Sequence, residues 1–190
     1  MDIKLKGDIV DFLKERLQEK RLKHSFGVME MAVKLAECHN VNVEEAEVAG
    51  LLHDCAKNMS NDELIEYCKK NGIEIDEVKL KSPGILHADV GADIAKKRFN
   101  VSDNVVQSIL YHTLANDEMT SLDKIIYIAD LVEEGRVLDG IDVIRDMAFV
   151  DLDKAMLMGL EYCMDNVKTI GKTVHEQSIR ALKAAQKRCN

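Results

Sequence analysis

Among its 190 residues the chain has one proline, Pro83, no tryptophan and only 4% aromatic side chains. So little proline leaves long helices uninterrupted, and so few aromatics argue against a box for stacking bases, since Phe26 falls on a helical apolar stripe instead. The five cysteines, Cys38, Cys55, Cys68, Cys163 and Cys189, include no CxxC pair and leave one unmatched in any full pairing. This excludes a disulfide framework and points to free thiols in a reducing compartment. With 26 Lys plus Arg against 34 Asp plus Glu, a net charge of −8 and no basic block, the chain lacks the electrostatic footprint of a polynucleotide binder. A small anionic ligand held by local charges stays open. No apolar run is long enough to cross a bilayer, and the start, Met1 to Lys6, lacks the apolar core of a signal peptide. The expected location is cytoplasmic. What is present is 46% hydrophobic residues, enough to fill the core of a chain that buries roughly 70% of its unfolded surface.

The apolar periodicity is helical almost throughout, and the expected fold class is all-α. Polar punctuation supports it: Asn42 precedes Glu45, Ser60 precedes Glu63, Thr120 precedes Asp123 and Thr173 precedes Glu176, each three residues apart as in a helix-capping pair. The spacing predicts helices near 8–19, 21–39, 43–57, 61–71, 88–99, 103–113, 121–134, 142–149, 152–169 and 174–188. Ser82-Pro83-Gly84 and Asp139-Gly140 read as short loops. A single domain over 1–190 is expected, with 142–188 its C-terminal helical part.

Three segments carry polar residues where burial is expected. Helix 21–39 has two apolar stripes, one through Leu22, Phe26, Met29, Val33 and Ala36, the other through His24, Val28, Met31 and Leu35. His24 thus opens an inward face, where an imidazole needs a hydrogen-bond partner or a metal. Helix 121–134 is apolar over most of its circumference, which implies a central position, yet Asp123, Tyr127, Asp130 and Glu134 align on one side. A solvated ridge would not need so wide an apolar arc, so the stripe reads as a site wall. His53-Asp54 comes late in helix 43–57, with Lys57 one turn beyond. Together His24, His53, Asp54 and Asp130 supply two imidazole nitrogens and two carboxylates, a donor set suited to Fe, Mn, Co or Zn. Cys55, beside the dipeptide, reads as a core thiol rather than a nucleophile.

The ordered pattern of His24, then His53-Asp54, then Asp130 resembles that of HD-domain metal-dependent phosphohydrolases. His87 in Leu86-His87-Ala88 and His112 in Tyr111-His112-Thr113, between the dipeptide and the last aspartate, resemble the dinuclear subclass. Further motifs, Lys23-His24-Ser25, Gly50-Leu51-Leu52-His53-Asp54-Cys55-Ala56-Lys57 and Leu122 to Asp130, resemble the YqeK-type branch of bacterial symmetrical diadenosine tetraphosphate hydrolases over about residues 8–188. The resemblance implies an HD-domain helical bundle. It also implies one ion on His24, His53, Asp54 and Asp130, and a second on His87 and His112 with Asp54 bridging. Iron is the first expectation for the metal, with Mn or Co as alternatives.

The implied activity is central cleavage of diadenosine tetraphosphate to two ADP, with Asp54 and Lys57 in the catalytic set and Lys57, Thr113 and Arg136 on the substrate phosphates. A nucleotidase, a dNTP hydrolase and a nonenzymatic nucleotide-binding regulator are the rivals. The expected partners are a small dinucleoside polyphosphate or nucleotide, with no nucleic acid polymer and no membrane; a homodimer stays open. Asp123 and Glu134 are candidates for orienting groups behind the ligands, or are solvated acids. His39 and His175 fall outside the pattern.

Overall fold

The computed structural model describes residues 2–189, so the outermost residues of the expected domain, Met1 and Asn190, lie outside the described part. The elements are α1 (Ile3–Arg16), α2 (Glu19–Cys38), α3 (Val43–Leu52), α4 (Asn61–Asn71), α5 (Glu77–Lys81), α6 (His87–Phe99), α7 (Asp103–Tyr111), α8 (Ser121–Val132), α9 (Ile141–Ala148), α10 (Leu152–Thr169) and α11 (Glu176–Cys189), with a 3-10 turn at Pro83–Leu86. Among the described residues there is no strand, and no helix is long and apolar enough to cross a membrane. The fold class is all-α.

The sequence pattern sets the centre. Leu122, Ile125, Ile126, Ile128, Ala129 and Val132 are all buried, so α8 has apolar side chains on most of its circumference and is packed against α2, α3, α7, α9 and α10. Its start is fixed by a reciprocal box in which the Thr120 side chain accepts from Asp123 N–H and the Asp123 carboxylate accepts from Thr120 N–H. Ser60 and Glu63 do the same for α4, and the Asn42 side chain accepts from the N–H groups of Glu44 and Glu45 at the start of α3. Helix α2 buries its two stripes unequally: Val28, Met31 and Leu35 are fully inside, whereas Leu22, Phe26 and Met29 are partly covered. Helices α2 and α3 cross closely at Gly50, where a Cβ would come within 2.7 Å of Met29 Cα. One continuous apolar core runs from Ile9 and Phe12 in α1 to Ala181 and Ala185 in α11.

Four expectations need correction. Helix 43–57 ends at Leu52: from His53 to Met59 the chain runs in tight turns, with Cys55 N–H donating to Leu52 O and Lys57 N–H to Asp54 O. The first helix begins at Ile3 rather than near residue 8, its start capped by Asp2. The five-residue helix α5, capped by Asp76, was not expected, because a single turn has too few residues for periodicity to register. Thr173 does not cap α11; the Gln177 N–H instead donates to Nδ1 of His175, whose Nε2 meets Asp76 Oδ2 at 2.9 Å.

Candidate metal centre

The helix ends bring the polar residues together. His53 follows the last residue of α3, His112 follows the last residue of α7, and His87 opens α6. Each accordingly has a spare backbone carbonyl within reach: Nδ1 of His53 donates to Gly50 O at 2.8 Å, that of His87 to Gly84 O at 2.5 Å and that of His112 to Ile109 O at 2.6 Å. A carbonyl can only accept, so the proton sits on Nδ1 and Nε2 of each neutral ring is a bare lone pair. All three Nε2 atoms point into one site.

Two groups of donors form there. His24, His53 and Asp130 offer atoms that lie within 4.8 Å of one another, and so do Asp54, His87 and His112. Asp54 stands between the groups: Oδ2 is 3.5 Å from His53 Nε2 and 3.9 Å from His24 Nε2, while Oδ1 is 3.1 Å from His87 Nε2 and 3.5 Å from His112 Nε2. Nε2 of His24 is 2.9 Å from Asp130 Oδ1. All six residues predicted from the sequence converge.

The donor chemistry fits a divalent cation. His53 Nε2 and Asp54 Oδ1 are buried without any aligned hydrogen-bond partner, a costly arrangement unless a cation engages them. The Nε2 atoms of His87 and His112 are 3.0 Å apart, yet neither neutral ring has a proton to place between them. Burial holds His87 below its ordinary pKa, assisted by the Lys57 ammonium and opposed by Asp54. Burial pushes the Asp54 carboxyl up, but the approach of His53, His112 and His87 to its oxygens outweighs it, leaving Asp54 well below the usual range. Asp130 is likewise lowered: burial raises it, whereas His24 and His53 pull it down further. Asp54 and Asp130 are thus held as carboxylates and His87 as a neutral ring, the forms that metal ligation requires.

Around the donors lie the predicted contact residues. Lys57 Nζ is 3.1 Å from His87 Nε2 and 3.7 Å from Asp54 Oδ1, at the mouth. Thr113 Oγ1 is 3.2 Å from His87 Nε2 and 3.1 Å from His112 Nε2. Arg136 donates from Nη2 to Asp130 Oδ1 at 2.9 Å and from Nε to Asp130 O at 3.1 Å. Beside them opens a cavity of about 620 Å3, running from Lys57, His87 and Thr113 to Val167, Ile170 and Lys172 at the C-terminal helices.

Two residues at the centre carried no sequence expectation. Arg21 donates from Nη1 to Asp54 Oδ2 at 2.7 Å; its place three residues before His24, on the same helix face, is the signal that could have found it. Glu133 meets His24 Nδ1 with Oε1 at 3.1 Å and accepts from Gly135 N–H with Oε2 at 2.6 Å. The predicted polar stripe of α8 splits. Glu134 lies beyond the helix, exposed and paired with Lys34. Asp123 is buried at the helix start, where it accepts from Gln107 and Thr120, and burial raises its pKa. Neither touches the donors. Cys55 is buried with its thiol pushed up to about 12 by burial, the Asp54 charge adding to the shift, so it is no nucleophile. His39 meets Ala148 O at 2.6 Å, away from the centre.

The model of the HD domain matches residues 21–135, from α2 through α8. A symmetrical bis(5'-nucleosyl)-tetraphosphatase of Staphylococcus aureus is 35% identical over 170 residues, covering 89% of this chain and 79% of that protein. One of Bacillus subtilis with the same description is 33% identical over 153 residues, covering 80% and 82%. A crystal structure from Clostridium acetobutylicum, described as an HD superfamily hydrolase involved in NAD metabolism, superposes with a TM-score of 0.93 at 39% identity, covering 96% of this chain and 97% of the other.

Proposed function

The chain belongs to the HD-domain family, and from that premise we propose that it is a dinuclear metal-dependent hydrolase that cleaves diadenosine tetraphosphate at its centre to give two ADP. The observation that carries this reading is the division of the donors into two groups with one oxygen of Asp54 turned toward each. In this reading His24, His53 and Asp130 hold one ion, His87 and His112 hold the other, and Asp54 serves both. Two such ions supply Lewis acidity and lower the pKa of an attacking water. Iron suits the mixed nitrogen and oxygen donors, as do Mn and Co.

The protein groups do the rest. Lys57, at the mouth and partly exposed, brings an ammonium to the charge that accumulates on the departing phosphate. Thr113 offers its hydroxyl to a phosphate oxygen beside it. Arg136 keeps the Asp130 carboxylate turned inward, and its guanidinium beside that donor is the second cation we assign to the substrate phosphates. The cavity supports a two-ended substrate: its near end carries Lys57, its far end is aliphatic at Met164, Val167 and Ile170 and flanked by Lys172, so a nucleoside and its phosphates find matching surfaces. We read residues 1–190 as one HD-type unit whose part 142–188 closes this cavity, supported by the contacts of α10 with α8. Free thiols are consistent with a cytoplasmic enzyme.

The test is chromatography of the products formed from diadenosine tetraphosphate by metal-replete protein, with Asp54→Ala alongside. ADP as sole product, together with loss of both metal and activity in the variant, supports the reading. ATP plus AMP would transfer it to asymmetric cleavage. Tight nucleotide binding without turnover across several metals would replace the enzyme by a nucleotide-binding regulator.

A further inference from the structure

Of the four histidines at the centre, His24 alone lies well inside a helix, in the second turn of α2. Backbone carbonyls there are engaged in the helical ladder, so the solution used by His53, His87 and His112, an Nδ1–H donated to a spare carbonyl three residues earlier, is not open to it. Its Nδ1 meets a carboxylate instead, Oε1 of Glu133 at 3.1 Å. That carboxylate is buried, its side chain only 8% exposed, and its position is determined from two sides. Gly135 N–H holds Oε2 at 2.6 Å, and Gly27 leaves the space it occupies: a Cβ there would fall 2.5 Å from Oε2. Arg145, on α9, donates to the carbonyls of Val132, Glu133 and Arg136, pinning the turn that presents Glu133.

We propose that Glu133 is the positioning residue of the metal centre: lodged in the space left by Gly27, its carboxylate holds the proton of His24 on Nδ1 and makes Nε2 the stronger donor. An anionic acceptor behind an imidazole fixes its tautomer and raises its basicity more than a neutral carbonyl does. His24 therefore differs from the other three rings in donor strength as well as in location. The inference rests on the reading of His24 as a metal ligand.

The experiment is titration of metal-free protein with Co2+, following the visible absorption band and the binding stoichiometry, for the wild type, Glu133→Ala, Glu133→Gln and Gly27→Ala. Gly27→Ala removes no polar group and introduces the better helix former, so it reports on the carboxylate even where Glu133→Ala folds poorly. The expected result is about a 10- to 100-fold loss of affinity for one ion in Glu133→Ala and Gly27→Ala, with the other ion unaffected, an altered band for the weakened site, and helix content unchanged in Gly27→Ala. Glu133→Gln, whose amide oxygen can still accept from Nδ1–H, should fall between wild type and Glu133→Ala. Equal affinities and spectra in wild type and Gly27→Ala, or equal losses at both ions, would overturn the proposal. A wild-type protein that binds no Co2+ would overturn the metal reading and the proposal together.

Discussion

His112 shows how much a single side chain can be asked to reveal. It sits in the group formed with Asp54 and His87 and takes no part in the one formed by His24, His53 and Asp130. On the two-ion reading, His112→Ala should therefore lose one equivalent of metal and retain the other, with kcat lowered by two orders of magnitude or more, as expected for losing part of a two-metal clamp (about 10²-fold or above). Metal analysis after dialysis checks it, and two equivalents in the variant would contradict the assignment. The residue types were enough to pick out four of the six donors, His24, His53, Asp54 and Asp130, because imidazoles and carboxylates in apolar surroundings stand out in a sequence; His87 and His112 entered only through the resemblance to the dinuclear HD subclass. Glu133 did not stand out: it looks like one of two surface acids, Glu133-Glu134, and which of them turns inward depends on where α8 ends, after Val132. Arg21 was hidden for the opposite reason, as an ordinary cation at the start of an amphipathic helix.

At the scale of elements, most helices were legible, the short α7 and α9 included, and the single-turn α5 was not. α4 and α10 match their expected limits, since Ser60 caps the first and a long apolar period defines the second. The ending of α3 was missed because Cys55 and Ala56 continue its apolar pattern while the backbone has already tightened into turns. The junction of α5 with α11 is tertiary and left no local trace. There Asp76 caps α5 and meets His175 ahead of α11. Burial pushes the Asp76 carboxyl up, but the N–H of Lys79, His175 and the N–H of Val78 together bring it below its ordinary value. A lowered folded-state pKa contributes stability above the unfolded carboxyl pKa, near 3.9, and that contribution is lost as pH falls through the folded value. Asp76→Asn should thus show a flatter loss of stability than wild type between about pH 4 and pH 2. Urea unfolding across this range measures it; parallel acid limbs would rule the linkage out.

For the molecule as a whole, the distribution of charge is more telling than its sum. The chain has a net charge of −8, yet Lys57, Lys81 and Lys172 line the cavity and none of the described residues lining it is acidic. A polyanion is drawn to the cavity while the remaining surface repels it. The double change Lys81→Ala and Lys172→Ala, which leaves the metal donors intact, should raise KM for diadenosine tetraphosphate about tenfold, equivalent to roughly 1.4 kcal/mol, with kcat little altered. Steady-state kinetics at low and high salt test this: the wild type should lose kcat/KM as salt screens the lysines, and the variant should lose less. A fall in kcat at unchanged KM would move these lysines from binding into chemistry.

The glycines of the helices set a boundary for anyone wishing to make this protein more robust. Replacing helical glycine by alanine is a standard route to higher stability, worth about 1 kcal/mol per exposed site. In α3 that route is closed: Gly50→Ala would drive a methyl group into the backbone of α2 at Met29 and so push His24 and His53 apart, converting the intended gain into overpacking of about 1–3 kcal/mol. Gly7 in α1 has nothing within 4 Å of an added Cβ. A thermostabilised variant should therefore be built outward from α1, leaving the crossing of α2 and α3 as nature spaced it.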